Sequence, residues 1–226
     1  MKNLHKEIKE HAKKNNLPVP VCDGVVNIDK YKKRSPKIMW ILKEPYENGE
    51  SEDANWIQFE TINNTTVSRS PTLRKITHIS ALLLKYPDKN YASLPEKISK
   101  YSDVLQDISF INTGKCLARR RTSDEKLTQC YEIWKEILHQ QILLYDADVL
   151  FFGGTFEVYK SHFEKIGYRH KKINVNLKCD LYEVEFNSKR HLLIDTWHPS
   201  YFWVNDENYV NTLVDIAREW ITNQSF

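Results

Sequence analysis

Short apolar runs bounded by polar residues predict the strands of this protein. The runs are rich in strand-forming residues and are too short for buried helices. The last two flank the turn-like dipeptide Asn187-Ser188, so we expect them to pair as a hairpin. The predicted strands span residues 37–42, 107–112, 148–152, 181–186 and 191–196.

Apolar residues at helical spacing predict helices between these strands. Ser70-Pro71 supplies an N-cap and a proline at the first helical position, and Thr122-x-x-Glu125 has the form of a capping box. The predicted helices cover residues 4–15 and 72–85, a long segment after Thr122, a segment from about 156, and a final segment containing Val210, Leu213 and Ile216.

The alternation of strands with helices predicts an α/β fold with a mostly parallel sheet covered on both faces. We find no internal repeat and no Pro/Ser-rich linker, so we interpret residues 1–226 as a single domain. Residues 1–35 form an N-terminal helical extension in this interpretation, and residues 36–220 form the core. Right-handed crossovers place the carboxyl ends of parallel strands at one edge, where such sheets bind ligands.

Composition narrows the class of protein. Apolar residues make up 41% of the chain and charged residues 28%, which is typical of a globular protein. No apolar run is long enough to cross a bilayer, and residues 1–8 lack the apolar core of a secretory leader, so we expect a cytoplasmic protein that does not contact membranes. The net charge is only +3, although Arg119-Arg120-Arg121, close to Lys115, forms a local cationic cluster.

Polar side chains with complementary chemistry follow the predicted parallel strands. Glu44 supplies a carboxylate after the first strand, Asn112 an amide at the end of the second, and His198 an imidazole after the last. The amide can donate to and accept from the edge of a base, and the imidazole can stabilise a developing negative charge. Together with the aromatic residues that follow His198, they indicate a site for a planar heteroaromatic ligand.

The same residues resemble the motifs of the uracil-DNA glycosylase superfamily. Lys43-Glu44-Pro45-Tyr46 is similar to the first motif, Asn112-x-x-Lys115-Cys116 to a segment of the bacterial and archaeal iron–sulfur families, and His198-Pro199-Ser200-Tyr201 to the terminal loop. The apolar strand 148–153 ends in glycine as theirs does. The resemblance covers about residues 36–220 and implies a three-layer α/β/α fold around a mostly parallel four-stranded sheet.

The resemblance also implies roles for individual residues. Glu44 takes the place of the catalytic aspartate, and His198 donates to the base oxygen as the base leaves. Tyr46 stands where a tyrosine excludes the methyl group of thymine, and Asn112 reads the base edge. The stacking aromatic is either Trp56 or Phe59. The implied DNA contacts are Lys115, Arg119, Arg120, Arg121, Ser200, Tyr201 and Phe202.

The implied function is hydrolysis of the N-glycosidic bond of uracil or another damaged base in DNA. Two alternatives stay open. The pocket could bind DNA, a free nucleobase or a nucleotide without catalysis, which Lys43 and Glu44 favour because the family has other residues there. Glu44 and His198 could also act as an acid–base pair on a small metabolite. We expect no cofactor, because the iron–sulfur families use four cysteines and only Cys22, Cys116 and Cys130 could correspond.

Overall fold

A mixed sheet of seven strands forms the centre of the computed structural model, which describes residues 2–45, 64–118, 122–173 and 177–223. The strands are β1 (Gly24–Val25), β2 (Ile38–Leu42), β3 (Ser109–Asn112), β4 (Val149–Gly153), β5 (Tyr168–Lys172), β6 (Cys179–Phe186) and β7 (Lys189–Thr196). The helices are α1 (Lys2–Lys14), α2 (Ile28–Lys32), α3 (Asn64–Arg69), α4 (Pro71–Leu84), α5 (Asp124–Tyr145), α6 (Phe156–Ile166) and α7 (Asp206–Asn223). Short 3-10 turns lie at Tyr91–Ser93, Ile98–Lys100 and Ser102–Asp107.

The strand order is β1-β3-β2-β4-β7-β6-β5. The four central strands, β3, β2, β4 and β7, are parallel to one another. Strand β1 is antiparallel at one edge, and β6 and β5 are antiparallel at the other. The predicted mostly parallel core and the β6–β7 hairpin are confirmed. The prediction of a four-stranded sheet is wrong, because antiparallel strands extend the parallel centre on both sides.

Helices cover both faces of the sheet. Trp40 of β2 packs in the same core as α4 and α7, whereas its neighbours Met39 and Ile41 pack in a second core with α1, α5 and α6. Successive residues of a strand face opposite sides, so these two cores lie on the two faces of one sheet. The central strands are buried on both sides, as their continuous apolar sequences predict.

The N-terminal 35 residues contribute to both the sheet and the core. Leu4, Ile8 and Ala12 of α1 are buried in the same core as the apolar residues of α5 and α6. Strand β1 pairs with β3 through Gly24 and Val25. In the described ranges, no helix has the length and apolar character needed to cross a membrane.

Capping residues fix where two of the helices begin. At α4 the Ser70 hydroxyl accepts a hydrogen bond from the Leu73 amide at 3.3 Å, and Pro71 follows it as expected. At α5 the cap is Ser123, which accepts from the Lys126 amide at 3.3 Å. The capping box predicted at Thr122 is therefore shifted by one residue. The Thr122 amide instead donates to Glu44, which brings the start of α5 to the end of β2.

Candidate functional site at the carboxyl edge of the sheet

The four central strands end at the same level. Asn112 pairs with Leu42, and Gly153 pairs with Thr196. Ile41 of β2 pairs with Phe152 of β4, so the residues that follow them, Leu42 and Gly153, also lie at the same level. Neighbouring strands lie about 4.8 Å apart, so the backbones of β2 and β7, on either side of β4, are about 10 Å apart.

Backbone hydrogen bonds continue past the strand ends and join these segments. The amides of Thr113 and Gly114 donate to the carbonyls of Leu42 and Lys43 at 2.8 and 2.7 Å. On the other side, the Gly154 amide donates to the Thr196 carbonyl at 2.7 Å. The predicted convergence of the strand-end segments on one edge is thereby confirmed for the described residues.

Glu44 is buried beside Gly114. A Cβ atom added at Gly114 would lie 3.5 Å from the Glu44 Cβ, an ordinary van der Waals distance, so the two residues are close neighbours. Glu44 Oε1 accepts a hydrogen bond from the Thr122 amide at 3.2 Å. Glu44 Oε2 is buried and has no partner among the described residues. A buried carboxylate oxygen without a partner is costly, so a donor or a positive charge placed beside it would be stabilised.

Asn112 is held by Asp23, the residue before β1. Its backbone amide and its Nδ2 both donate to Asp23 Oδ2, at 2.6 and 3.1 Å. The carboxylate accepts only, so the amide nitrogen of Asn112 must face Asp23. Asn112 Oδ1 is buried and without a partner in the described part of the chain. It is therefore the atom of the side chain that remains as an acceptor for a ligand N–H.

Lys115 belongs to the same buried network. Its Nζ donates to Asp23 Oδ1 and Gln141 Oε1, both at 2.6 Å, and its side chain has no exposed surface. Burial lowers the pKa of Lys115, and the Asp23 carboxylate opposes that shift. The predicted phosphate contact of Lys115 is incompatible with this position, because the ammonium group faces an internal carboxylate.

His198 carries a defined hydrogen-bond pattern on the loop after β7. The Ser200 amide donates to His198 Nδ1 at 3.2 Å, and the Ser200 hydroxyl lies 2.8 Å from the same nitrogen. Because Nδ1 accepts, the neutral imidazole carries its proton on Nε2. The loop is fixed locally by a hydrogen bond from the Tyr201 amide to the His198 carbonyl at 2.8 Å.

Gly153 and Gly154, at the end of β4, lie between the segment that carries Glu44 and the loop that carries His198. A Cβ at Gly153 would lie 3.0 Å from Pro199, and Gly154 has a φ of +69°, which favours glycine. A Cβ at Gly154 would lie 3.5 Å from both the Lys43 Cε and the His198 amide nitrogen. The Lys43 side chain thus extends over the end of β4 toward His198, and its Nζ lies 3.6 Å from Asp124.

The aromatic residues after His198 form an exposed surface, which we call the aromatic loop (residues 201–203). Phe202 and Trp203 are 78% and 75% exposed, and their rings lie 4.8 Å apart. Tyr201 is half-buried against Trp197, with ring centroids 4.2 Å apart. Buried Lys75 of α4 donates to the Tyr201 carbonyl at 2.7 Å and anchors the loop.

Several predicted site residues lie outside the described residues. These are Tyr46, Arg119, Arg120 and Arg121, together with the two candidate stacking residues Trp56 and Phe59. Their predicted roles stay predictions.

The four cysteines are free thiols. Cys22 donates to the His5 carbonyl, and Cys116 to the Pro18 carbonyl, at 3.7 and 3.6 Å. Burial raises the pKa of the Cys116 and Cys130 thiols. Among the described residues, no three His, Cys, Asp or Glu side chains are grouped so that they could hold a metal ion.

Three residues that position the site give no signal in the sequence. Asp23 precedes a strand of two residues, too short to be detected, and Gln141 lies within a long amphipathic helix. Lys75 occupies a helical position where a lysine would ordinarily be exposed.

Comparison with known proteins identifies no family for this sequence. No protein-family model matches it, and no curated protein is significantly similar.

Proposed function

We propose that this protein hydrolyses the N-glycosidic bond of uracil or another damaged base in DNA. The observation that carries the proposal is the pair of contacts from Ser200 to His198 Nδ1, which places the proton of the neutral ring on Nε2. Glycosidic cleavage builds negative charge on the departing base and positive charge on the sugar. A neutral imidazole donor beside the base stabilises the first of these charges.

The magnitude of this effect is considerable. One preorganised donor aimed at a developing negative charge contributes about 3 kcal/mol to transition-state stabilisation in comparable sites. Glu44 supplies the complementary charge, because a carboxylate near the sugar stabilises its positive charge. The burial of Glu44 strengthens that interaction, since an electrostatic interaction is larger where water is excluded.

Asn112 restricts the class of base. Its Nδ2 donates to Asp23, so Oδ1 is the atom that can accept a hydrogen bond from the base edge. Uracil, hypoxanthine and xanthine each carry a ring N–H for such an acceptor. Cytosine and adenine have an unprotonated ring nitrogen at the corresponding place, which would repel Oδ1. An acceptor at this place therefore disfavours cytosine and adenine and accommodates uracil, hypoxanthine and xanthine, although the intact bases thymine and guanine carry a ring N–H as well.

A second candidate function is recognition of the base without catalysis. The observation that favours it is the Lys43 side chain, which extends over Gly154 toward His198. If Lys43 stays there when a base binds, it occupies part of the region between the carboxylate and the imidazole where the sugar would have to lie. The protein would then hold a base or a nucleic-acid end and not cut it.

Labelled oligonucleotides distinguish the two candidates. The protein is incubated with DNA containing one uracil, hypoxanthine or xanthine, and alkali then reveals abasic sites as strand breaks. We expect cleavage by the wild-type protein and its loss in His198→Ala and Asn112→Ala, with folding checked by circular dichroism. His170→Ala, which changes an exposed histidine of β5, is the matched control and should cut normally.

Each outcome decides between the candidates. Base-dependent thermal stabilisation without strand breaks would support recognition alone and refute hydrolysis. Cleavage that survives His198→Ala would refute the role of the imidazole. Neither cleavage nor base binding would refute both candidates.

A further inference from the structure

A concave site with a different lining lies on the α4 side of the sheet. It is a cavity of about 670 Å³ between the first turns of α4 and the segment 91–101. Binding sites for small ligands commonly have volumes of about 300–1,000 Å³. Glu44, Asn112 and His198 do not line this cavity, so the proposed hydrolysis leaves it unexplained.

The wall of the cavity is positively charged. Arg69, Arg74 and Lys97 line it, against a single acid, Glu96. Arg74 is already paired, since its Nε lies 2.7 Å from Asp206. Arg69 and Lys97 are exposed and form no ion pair within the described part of the chain. Two cations therefore line one concave space without an ion-pair partner among the described residues, with Glu96 as the one acid in the lining.

The interior of the cavity is aromatic and apolar. His78 and Tyr91 line it with their rings in a T-shaped contact, 4.9 Å between centroids, and Leu94 and Ile98 are also part of the lining. His78 is buried, and its Nδ1 has no partner among the described residues. An apolar ring placed here would pack against Tyr91, while a charged group would stay at the cationic wall.

We propose that this cavity binds a phosphorylated nucleoside, with the phosphate on Arg69 and Lys97 and the base against Tyr91. A phosphate monoester carries a charge of about −1.5 to −2 at neutral pH, which the Arg69 and Lys97 side chains can neutralise. Arginine adds paired donors that match the phosphate oxygens. The cavity volume also exceeds what a phosphate ion alone requires.

The phosphorylated nucleoside can come from two sources with the same chemistry. It is either a free mononucleotide or the 5′-phosphorylated end of a DNA strand. Isothermal titration calorimetry with uridine and adenosine 5′-monophosphates tests the first source. The same titration with a short 5′-phosphorylated oligonucleotide, and with its unphosphorylated counterpart, tests the second.

Variants of the cationic wall locate the binding. We expect Arg69→Ala and Lys97→Ala each to weaken mononucleotide binding about tenfold, because each removes a hydrogen-bonded charge. Both side chains are exposed, so these variants should fold. Lys100→Ala is the matched control, since Lys100 is exposed in the same 3-10 turn region but does not line the cavity. His198→Ala should bind mononucleotide normally, which separates this site from the one at the strand ends.

The titrations can overturn each part of the proposal. No binding of any nucleotide at millimolar concentration, or binding that Arg69→Ala and Lys97→Ala leave unchanged, refutes the site. Inorganic phosphate bound as tightly as a mononucleotide refutes the base contact. Uridine bound as tightly as its 5′-monophosphate refutes the phosphate contact. Loss of binding in His198→Ala would assign the nucleotide to the strand-end site instead.

Discussion

At the scale of single residues, the decisive feature is the buried ion pair between Lys115 and Asp23. Both side chains are almost completely buried, and Asp23 also fixes Asn112. A buried pair of this kind contributes little compared with apolar residues of similar size, but removing one partner leaves an uncompensated charge. The pair therefore acts chiefly to hold Asn112 in one orientation at the end of β3.

The first prediction concerns this pair. Lys115→Met should lower the free energy of unfolding by about 3–5 kcal/mol, because the Asp23 carboxylate stays buried without its counter-charge. Adding Asp23→Asn to Lys115→Met should restore at least half of the loss. The Asn oxygen can still accept from Asn112, and the Gln141 amide, released by Lys115, can turn to accept from the new amide nitrogen.

Urea unfolding followed by circular dichroism measures both variants. Lys135→Met, which removes an exposed cation of α5, serves as the control and should change stability by less than about 0.5 kcal/mol. A Lys115→Met protein as stable as the wild type would show that the pair is not the constraint described here.

Residue chemistry also explains which site residues the sequence could predict. Asn112 and His198 stand at strand ends, where the topology alone brings polar residues to one edge. The DNA contact that the resemblance implies for Lys115 does not fit its buried position, and the sequence gives no sign of that burial because a lysine is ordinarily exposed. Its burial depends on Asp23, which is 92 residues away and has no pattern of its own.

At the scale of elements, the apolar strands and amphipathic helices follow from the sequence, and the polar or short strands do not. The β6–β7 hairpin turns at Asn187 and Ser188, both with positive φ, as the turn chemistry predicts. Strand β5 has the sequence Tyr-Arg-His-Lys-Lys, without alternating apolar residues, and it forms because it pairs with β6. Charged residues on such an edge strand also oppose edge-to-edge association.

The second prediction concerns the aromatic loop. Its exposed rings contribute almost nothing to folding, whereas each ring stacked on a base contributes about 1–3 kcal/mol to nucleic-acid binding. We expect the double variant Phe202→Ala/Trp203→Ala to keep the wild-type urea midpoint and to bind uracil-containing DNA at least tenfold more weakly. Fluorescence anisotropy of a labelled oligonucleotide measures the affinity.

Leu144→Ala is the matched control for that experiment, because Leu144 is a large apolar residue, 56% exposed, on α5. It should leave DNA binding unchanged. Equal affinity of the wild-type protein and the double variant would remove the aromatic loop from the DNA interface. A lowered urea midpoint would show that the rings pack against the fold more than their exposure indicates.

At the scale of the whole molecule, one sheet joins two cores. Buried His78 of α4 and partly buried His139 of α5 lie on opposite faces of that sheet. Burial lowers the pKa of each to about 4. For His139 the neighbouring His162 ring, stacked at 3.5 Å, adds to the shift. Both histidines are therefore neutral in the folded protein at pH values where they are charged in the unfolded chain.

The third prediction is a loss of stability in mild acid. Between pH 6.5 and about 4 the unfolded chain binds more protons than the folded protein, so the free energy of unfolding falls as the pH falls. Each histidine contributes a slope of at most about 1.4 kcal/mol per pH unit. His78→Phe keeps an aromatic ring and removes the titrating group. Between pH 7 and pH 4, the free energy of unfolding of this variant should therefore fall by about 3 kcal/mol less than that of the wild-type protein.

Urea unfolding at a series of pH values measures these slopes. His170→Gln, which changes an exposed histidine, is the control and should follow the wild-type pH profile. Carboxylates titrate near the lower end of this pH range in every variant. The test is therefore the difference between the variant and the wild-type protein in how the free energy of unfolding depends on pH. If His78→Phe lost stability as steeply as the wild-type protein, His78 would not be a neutral, buried group, and the packing of α4 against Tyr91 and Tyr101 would need revision.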